Sequence, residues 1–359
     1  KIETMLARFR GLAKITDGMF RVLAKASADG VFDVFASDQH GSFLKMLAQA
    51  PGLVPSGQPT DTDVGKTGWH IARALPQGVT AALFNNLAFG LPKFLDQLPK
   101  GTMLIARLER SKFDTTPDGK GQLPVLDVEP VEAKEYGAKA VKTLLKLNPE
   151  HKASWQASYD WLMDVWQKCL KINTPLFNEV LYDVPGMAKV EMAKRLPKAL
   201  IAMAEKFGAI GTFYKTQAPL LWVDDEGKLV RVATVDMVRA TMREVDRISS
   251  LPVLLLSAAV DFDQYMYQFC LSAEYICGPM CGRAYFKEAP KVAKNWKDLE
   301  EEIKQIAHPR IAAIKALTSH ACQPWSQKMR LSPQAKKMLE FEMRMKGSGV
   351  DVTAAKGMY

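Results

Sequence analysis

The feature that most constrains this chain is an eightfold alternation of short β-rich runs with longer stretches of helical apolar spacing. The runs are Val31 to Ser37, Val79 to Asn85, Met103 to Leu108, Ala140 to Leu147, Pro175 to Leu181, Gly211 to Thr216, Pro252 to Ser257 and Cys277 to Gly282. Between them lie Gly41 to Gln49, Val131 to Gly137, His151 to Leu170, Lys198 to Phe207, Val235 to Ser249 and Asp261 to Tyr275, with apolar residues three and four apart. Strands joined through helices run parallel, because each helix returns the chain to the edge from which the next strand starts. Eight such units predict an α/β fold, a single-domain TIM (β/α)8 barrel.

No linker rich in Gly, Pro or Ser divides the 359 residues. The expected organisation is an N-terminal helical segment (1–30), a barrel (31–325) and a C-terminal helical extension (326–359) with a charged helix and a Gly-Ser-Gly break. A transit peptide is the alternative reading of the basic, amphipathic first segment. Asn295 to Ile306 and Pro309 to Thr318 are expected to be two helices on the barrel's outside, and Gln58 to Thr67 and Lys112 to Pro124 to be loops or small excursions.

The 48 basic and 39 acidic residues leave a net charge of +9, with both signs mixed along the chain, which suits a small anionic substrate as well as nucleic acid. No apolar run approaches the roughly 20 residues of a membrane span, so no membrane association is expected. Five cysteines without a CxxC pair suggest a reduced compartment, the cytoplasm or alternatively an organelle, and free thiols in place of a metal site. Basic residues near the end are interrupted by Glu340 and Glu342, so a solvated helix face outranks nucleic-acid binding. Gly65-Lys66-Thr67 lacks the leading glycine of a phosphate loop, since Thr60 stands there.

In such barrels the chemistry sits at the carboxyl ends of the strands. Those ends carry Asp38, Gln39 and His40 on strand one, Asn85 on strand two, Lys142 on strand four, Glu179 on strand five and Lys215 on strand six. Strand seven ends in Ser257-Ala258-Ala259 and strand eight in Gly282-Arg283. An amine at the mouth of a mostly apolar strand loses hydration, which favours the neutral, nucleophilic form a Schiff-base lysine needs. The plainer reading is a lysine snorkelling to water. Small residues in the last two turns let backbone N–H groups approach an anion, and Arg283 can clamp it as a two-pronged donor. Here too plain readings stand: Lys142 and Glu179 as an interior ion pair, Ser257 and Asp38 as helix caps.

Seven blocks carry a resemblance. They are Phe35-Ala36-Ser37-Asp38-Gln39-His40-Gly41-Ser42, the run from Gly137 to Leu145, Phe177-Asn178-Glu179, Phe213-Tyr214-Lys215, the run from Leu251 to Asp261, Gly278-Pro279-Met280-Cys281-Gly282-Arg283-Ala284 and Ala321-Cys322-Gln323-Pro324-Trp325. In this order they resemble the bacterial class I tagatose 1,6-bisphosphate aldolase family, with the sulfofructose-phosphate aldolases further off. The resemblance implies that Lys215 forms the Schiff base, Glu179 moves protons, Lys142 is the second lysine and Asp38 orders hydroxyl groups. It also implies a phosphate cradle of Ser257, Ala258, Ala259, Gly282 and Arg283, with Gln39, His40 and Asn85 as further substrate contacts.

The expected activity is therefore metal-independent cleavage of a phosphorylated ketose, with no cofactor, a small phosphorylated sugar as partner and a homo-oligomer as one available assembly. Three positions depart from the family's pattern: His40 where arginine is usual, Asn85 where aspartate is usual, and Ala259 where glycine is usual. All three lie on the substrate side, so altered specificity is expected first. A barrel retained as a structural or assembly subunit, or a transaldolase or synthase using the same lysine, are the alternatives.

Overall fold

The computed structural model describes residues 15–27, 30–85, 95–258 and 260–329. Eight parallel strands close into a barrel: β1 (Val34–Ser37), β2 (Ala81–Phe84), β3 (Met103–Arg107), β4 (Ala140–Leu147), β5 (Leu176–Tyr182), β6 (Phe213–Thr216), β7 (Val253–Leu256) and β8 (Pro279–Cys281). Strands neighbouring in sequence are neighbours in space, and β1 bonds to both β2 and β8. Every expected run overlaps one of these strands. Closure between β8 and β1 depends on Gly278, at φ +143°, where an added Cβ would lie 1.8 Å from the Phe32 carbonyl oxygen.

Two apolar layers follow from the strand period of two. Residues facing outward pack against the surrounding helices. Those facing inward, among them Val34, Ala81, Ile105, Ala140, Phe177, Phe213 and Leu254, form a second cluster with Phe20 and Leu23 of the N-terminal helix Asp17–Ala26 and with Trp325. The rings of Phe177 and Phe213 stack with centroids 4.7 Å apart, and Phe32 meets Phe213 edge-on at 4.9 Å. Each such buried ring contributes on the order of 1.5–3 kcal/mol. Trp325 donates from its indole nitrogen to Ser27 Oγ at 3.0 Å, so the amino end of the barrel is closed by an aromatic floor. Polar chemistry is left to the carboxyl end.

Several expectations about helices and loops need correction. Gln58 to Thr67 is not a loop: Asp61–Ala74 is a 14-residue helix opened by a capping box in which Thr60 and Asp63 satisfy each other's backbone N–H groups. Gly65, Lys66 and Thr67 lie inside it. The helix expected from Lys198 begins at Lys189 and runs through Pro197, and the two outer helices are one, Trp296–Ala321, running through Pro309. Both prolines lie inside these helices, where packing along a long helix outweighs one lost backbone bond. Lys112 to Pro124 holds a small antiparallel pair, Asp114–Thr115 with Gln122–Leu123, and a second hairpin, Trp222–Asp225 with Lys228–Arg231, follows β6. Of the five free thiols, Cys270 is exposed and Cys322 half-buried. The expected C-terminal helix lies outside the described residues, and no described helix is long and apolar enough to cross a membrane.

Candidate active site

One step along each strand from the aromatic layer, the inward side chains change from apolar to ionic. Ala140 is followed by Lys142, Phe177 by Glu179 and Phe213 by Lys215, each two residues on and therefore on the same face. Registers place Glu179 beside Lys215 on β5 and β6. Their side chains meet: Lys215 Nζ lies 2.9 Å from Glu179 Oε2, and Lys142 Nζ lies 2.9 Å from the same oxygen. Lys142 also reaches Asp38 Oδ2 at 2.8 Å and Glu109 Oε1 at 2.9 Å. Its ammonium thus sits among three carboxylates drawn from the ends of β1, β3 and β5.

Burial and charge pull against each other here. Burial would lower the pKa of Lys142, but Asp38, Glu109 and Glu179 hold it well above the ordinary lysine value. Burial would raise Asp38, yet Lys142, Lys215 and Arg107 hold it at about 2. For Glu109 burial prevails over Lys142 and Arg107, and its pKa is raised. Lys142 is therefore a fixed cation, and Asp38 a fixed anion. Lys215, only 3% exposed, has in Glu179 a carboxylate within direct proton-transfer distance. Snorkelling to water is ruled out by that burial, and capping by Asp38 is ruled out because its carboxylate goes to Lys142 while His40 occupies the cap of the helix Gly41–Leu47.

A cavity of about 360 Å³ opens over this cluster and is lined by Asp38, Gln39, His40, Lys142, Glu179, Lys215, Ser257, Ala258, Gly282 and Arg283. Ser257 is buried at the end of β7, and Ala258 takes a left-handed φ of +46°, a conformation that costs an L-residue about 1 kcal/mol or more. Ala259 lies outside the described residues. Gly282 lets β8 approach β1 closely, since an added Cβ would stand 2.3 Å from the Ala36 carbonyl oxygen. Arg283 follows at once. Its guanidinium is half-buried, its pKa is lowered by burial against the pull of Asp38 and Glu179, and it makes no hydrogen bond or ion pair with any other described residue. The helix after β7 begins at Phe262 with Asp261 at its cap, one residue from the expected start, and the turn after β8 opens the short helix Arg283–Phe286 with Gly282 at its cap.

Two expected contacts stand apart. His40 reaches the cavity wall, but its Nε2 lies 2.7 Å from Asp61 Oδ1 on the unanticipated helix. Asn85 is buried beside the cavity and donates to the Gln39 carbonyl at 3.1 Å, holding the backbone of the β1 turn. Arg107 and Glu109 were not anticipated. Arg107 donates to the Asp38 carbonyl at 2.7 Å and to Ser111 Oγ at 2.9 Å, while Glu109 accepts from Lys142 and from the Leu144 backbone. The signal was present: two charges two residues apart, on one face, at the end of an apolar strand.

A curated tagatose 1,6-diphosphate aldolase of Listeria monocytogenes is 27% identical to this chain over 329 residues, covering 88% of this chain and 95% of that protein. The tagatose 1,6-diphosphate aldolase 2 of Streptococcus pyogenes is 24% identical over 344 residues, covering 88% and 99%. Among solved structures, a fructose-bisphosphate aldolase from Plasmodium falciparum, in complex with TRAP and a small-molecule inhibitor, superposes with a TM-score of 0.65 at 13% identity. It covers 86% of this chain and 97% of that one, a likeness of fold. No family model matches the chain. Over 88% of its length the chain is thus similar to tagatose 1,6-diphosphate aldolases, and these relatives support reading it as an aldehyde-lyase on a barrel of aldolase-like fold.

Proposed function

We propose that this enzyme is a Schiff-base aldolase that reversibly cleaves a phosphorylated ketose, such as tagatose 1,6-bisphosphate, to dihydroxyacetone phosphate and an aldehyde. The observation that carries this reading is the contact chain Lys215, Glu179, Lys142 at the floor of the cavity. Lys215 passes a proton to Glu179 and its nitrogen bonds to the ketose carbonyl carbon, giving a carbinolamine. Glu179 returns a proton to the departing hydroxyl, water leaves, and an iminium remains. Glu179 next takes the proton of the hydroxyl beyond the scissile C–C bond. The electron pair of that bond moves into the iminium, the aldehyde leaves, and an enamine remains. Protonation of the enamine carbon and hydrolysis release dihydroxyacetone phosphate and restore the lysine. Lys142, fixed as a cation, holds Glu179 and Asp38 in place and stabilises negative charge on the reacting oxygens.

Borohydride reduction in the presence of dihydroxyacetone phosphate tests this. One adduct on the peptide containing Lys215 is expected, with turnover unchanged by EDTA. An unmodified Lys215 together with turnover abolished by EDTA overturns it.

The same reading extends to the far end of the substrate. Every other basic side chain of the cavity wall is already engaged, Lys142 and Lys215 by Glu179, Lys146 by Asp183, Arg110 by Asp114, His40 by Asp61, and Arg107 by the Asp38 carbonyl and Ser111. Arg283 alone among them has no such partner among the described residues. The phosphate next to the ketone is accordingly the main anchor, and the distal anion is held weakly. Removing the distal phosphate should raise KM far less than removing the proximal one, and the reverse ranking would overturn this part.

A further inference from the structure

We propose that the outer face of the hairpin Trp222–Asp225 with Lys228–Arg231 is a contact surface for a second copy of this chain. Its turn is a two-residue loop with Glu226 at φ +53° and Gly227 at φ +86°, the left-handed pair that suits the twist of an antiparallel ribbon. One face is already used. Val223 and Val230 pack with Val190, Ala193 and Val232 against the body of the protein. The opposite face should then be polar, because it is the one turned to water.

It is not. Trp222 is 38% exposed and Leu229 is 68% exposed, and beside them Tyr267 is 44% exposed. Three of the eight large exposed apolar side chains among the described residues thus share one small region. Trp222, Leu229, Arg231 and Tyr267 line a groove of about 380 Å³ that shares no residue with the catalytic cavity. A concentration of this kind marks a surface that is covered in the working protein.

The pattern on that face selects the occupant. The registers Trp222 with Arg231 and Asp224 with Leu229 make a two-by-two tile of side chains. Trp222 and Leu229 occupy one diagonal, and Asp224 and Arg231 the other. A two-fold axis along the apolar diagonal sets Trp222 and Leu229 on their own copies. It sets Asp224 on the partner's Arg231 and Arg231 on the partner's Asp224. Few arrangements of four side chains are self-complementary in this way, and an isologous contact requires it. The across-strand and along-strand spacings are similar, so the two ribbons cross near a right angle, as sheets can pack. Neither charge is already spent in an ion pair with a described residue. Asp224 accepts from the Gly227 backbone and Arg231 donates Nε to the Ala233 carbonyl, leaving a carboxylate oxygen and the outer guanidinium nitrogens. The tile is smaller than the roughly 800 Å² per partner of a stable pair, and Tyr267 and Val235 extend it.

Sedimentation equilibrium on the full chain tests the proposal, with circular dichroism melts as the folding control. The parent should dimerise. Arg231→Asp and Asp224→Arg, each placing like charges together, should weaken dimerisation by at least about tenfold. The double variant, which restores opposite charges in exchanged positions, should recover it. Leu229→Glu, at a site too exposed to hold the monomer together, should abolish it while ketose-phosphate turnover stays at the parent value. A parent that is monomeric at all concentrations, or a dimer indifferent to these four variants, overturns the proposal.

Discussion

Lys215 and Glu179 stand opposite each other in the register of two adjacent strands, and their side chains close a 2.9 Å ion pair over an aromatic layer. Because Glu179 Oε2 is bonded to Lys142 as well, removing the Lys215 amine does not leave that carboxylate unpaired. Lys215→Ala should therefore stay folded, within about 1 kcal/mol of the parent by denaturant melt, the size typical of a single substitution. Turnover should fall to background, and borohydride should trap no adduct. A variant that turns over normally would remove Lys215 from the chemistry.

Glu179→Gln keeps the size and a hydrogen-bonding oxygen but cannot carry protons. Turnover should drop by about 10²–10⁴, the usual worth of a positioned acid–base group. Lys215 should still be trapped by borohydride, more slowly, since its nitrogen remains. Retained trapping with lost cleavage separates this role from a merely structural one. Equal loss of fold and activity would argue for the latter.

Why these residues were legible and others were not has a physical cause. A strand repeats every two residues, so Phe177 with Glu179 and Phe213 with Lys215 announce an apolar layer beneath an ionic one along a single strand. The threefold pairing of Lys142 is different. Asp38, Glu109 and Glu179 come from three other strand ends, and their meeting at one nitrogen depends on barrel closure, which no local pattern encodes. The helix Asp61–Ala74 was hidden by turn-forming residues, although Thr60 and Asp63 spelled its cap, and with it was hidden the Asp61 partner of His40. The helices around Pro197 and Pro309 run longer than the apolar spacing suggested, because spacing and propensity are local whereas both helices are held by packing along their length.

Glu109, missed at first, carries a prediction of its own. It accepts from Lys142 Nζ at 2.9 Å and from the Leu144 N–H at 3.0 Å while almost fully buried. Glu109→Ala leaves the Leu144 N–H without its acceptor, while Asp38 and Glu179 still hold Lys142, and should cost about 1–3 kcal/mol. Glu109→Gln keeps an acceptor for Leu144 and should cost clearly less. Denaturant melts of the two variants check the order, and equal costs would show that the backbone contact is immaterial.

Arg283 is the cavity-wall cation without an ion-pair or hydrogen-bond partner for its guanidinium among the described residues. Arg283→Ala should cost about 1.5–3 kcal/mol of anion binding for each charged hydrogen bond lost, appearing as roughly a ten- to hundredfold fall in kcat/KM carried mainly by KM. Gly282→Ala should move in the same direction without touching the guanidinium. Its Cβ would stand 2.3 Å from the Ala36 carbonyl oxygen, so β8 must shift and take Arg283 with it. Steady-state kinetics with inorganic phosphate as competitor reads both, and unchanged phosphate inhibition in either would count against this placement of the anion.

Asp33 lies outside the catalytic cluster, just before β1, and sets a pH dependence of stability. It is 3% exposed, its Oδ2 has no hydrogen-bond partner among the described residues, and burial, only partly offset by Lys315, raises its pKa from 3.8 to about 7. Below 3.8 the carboxyl is protonated in folded and unfolded chains alike, and its neutral form suits the buried site. As pH rises from 3.8 towards 7 the folded state binds the extra proton, so stability declines through that window and is lowest once Asp33 ionises in both states. The loss is on the order of a few kcal/mol, since one pKa unit is worth about 1.4. Asp33→Asn removes this titration while keeping the shape. At pH 8 the variant should melt higher than the parent, and at pH 4 the gap should shrink towards zero. Calorimetric melts at the two pH values decide, and a gap that is the same at both would show that Asp33 does not titrate within the folded protein.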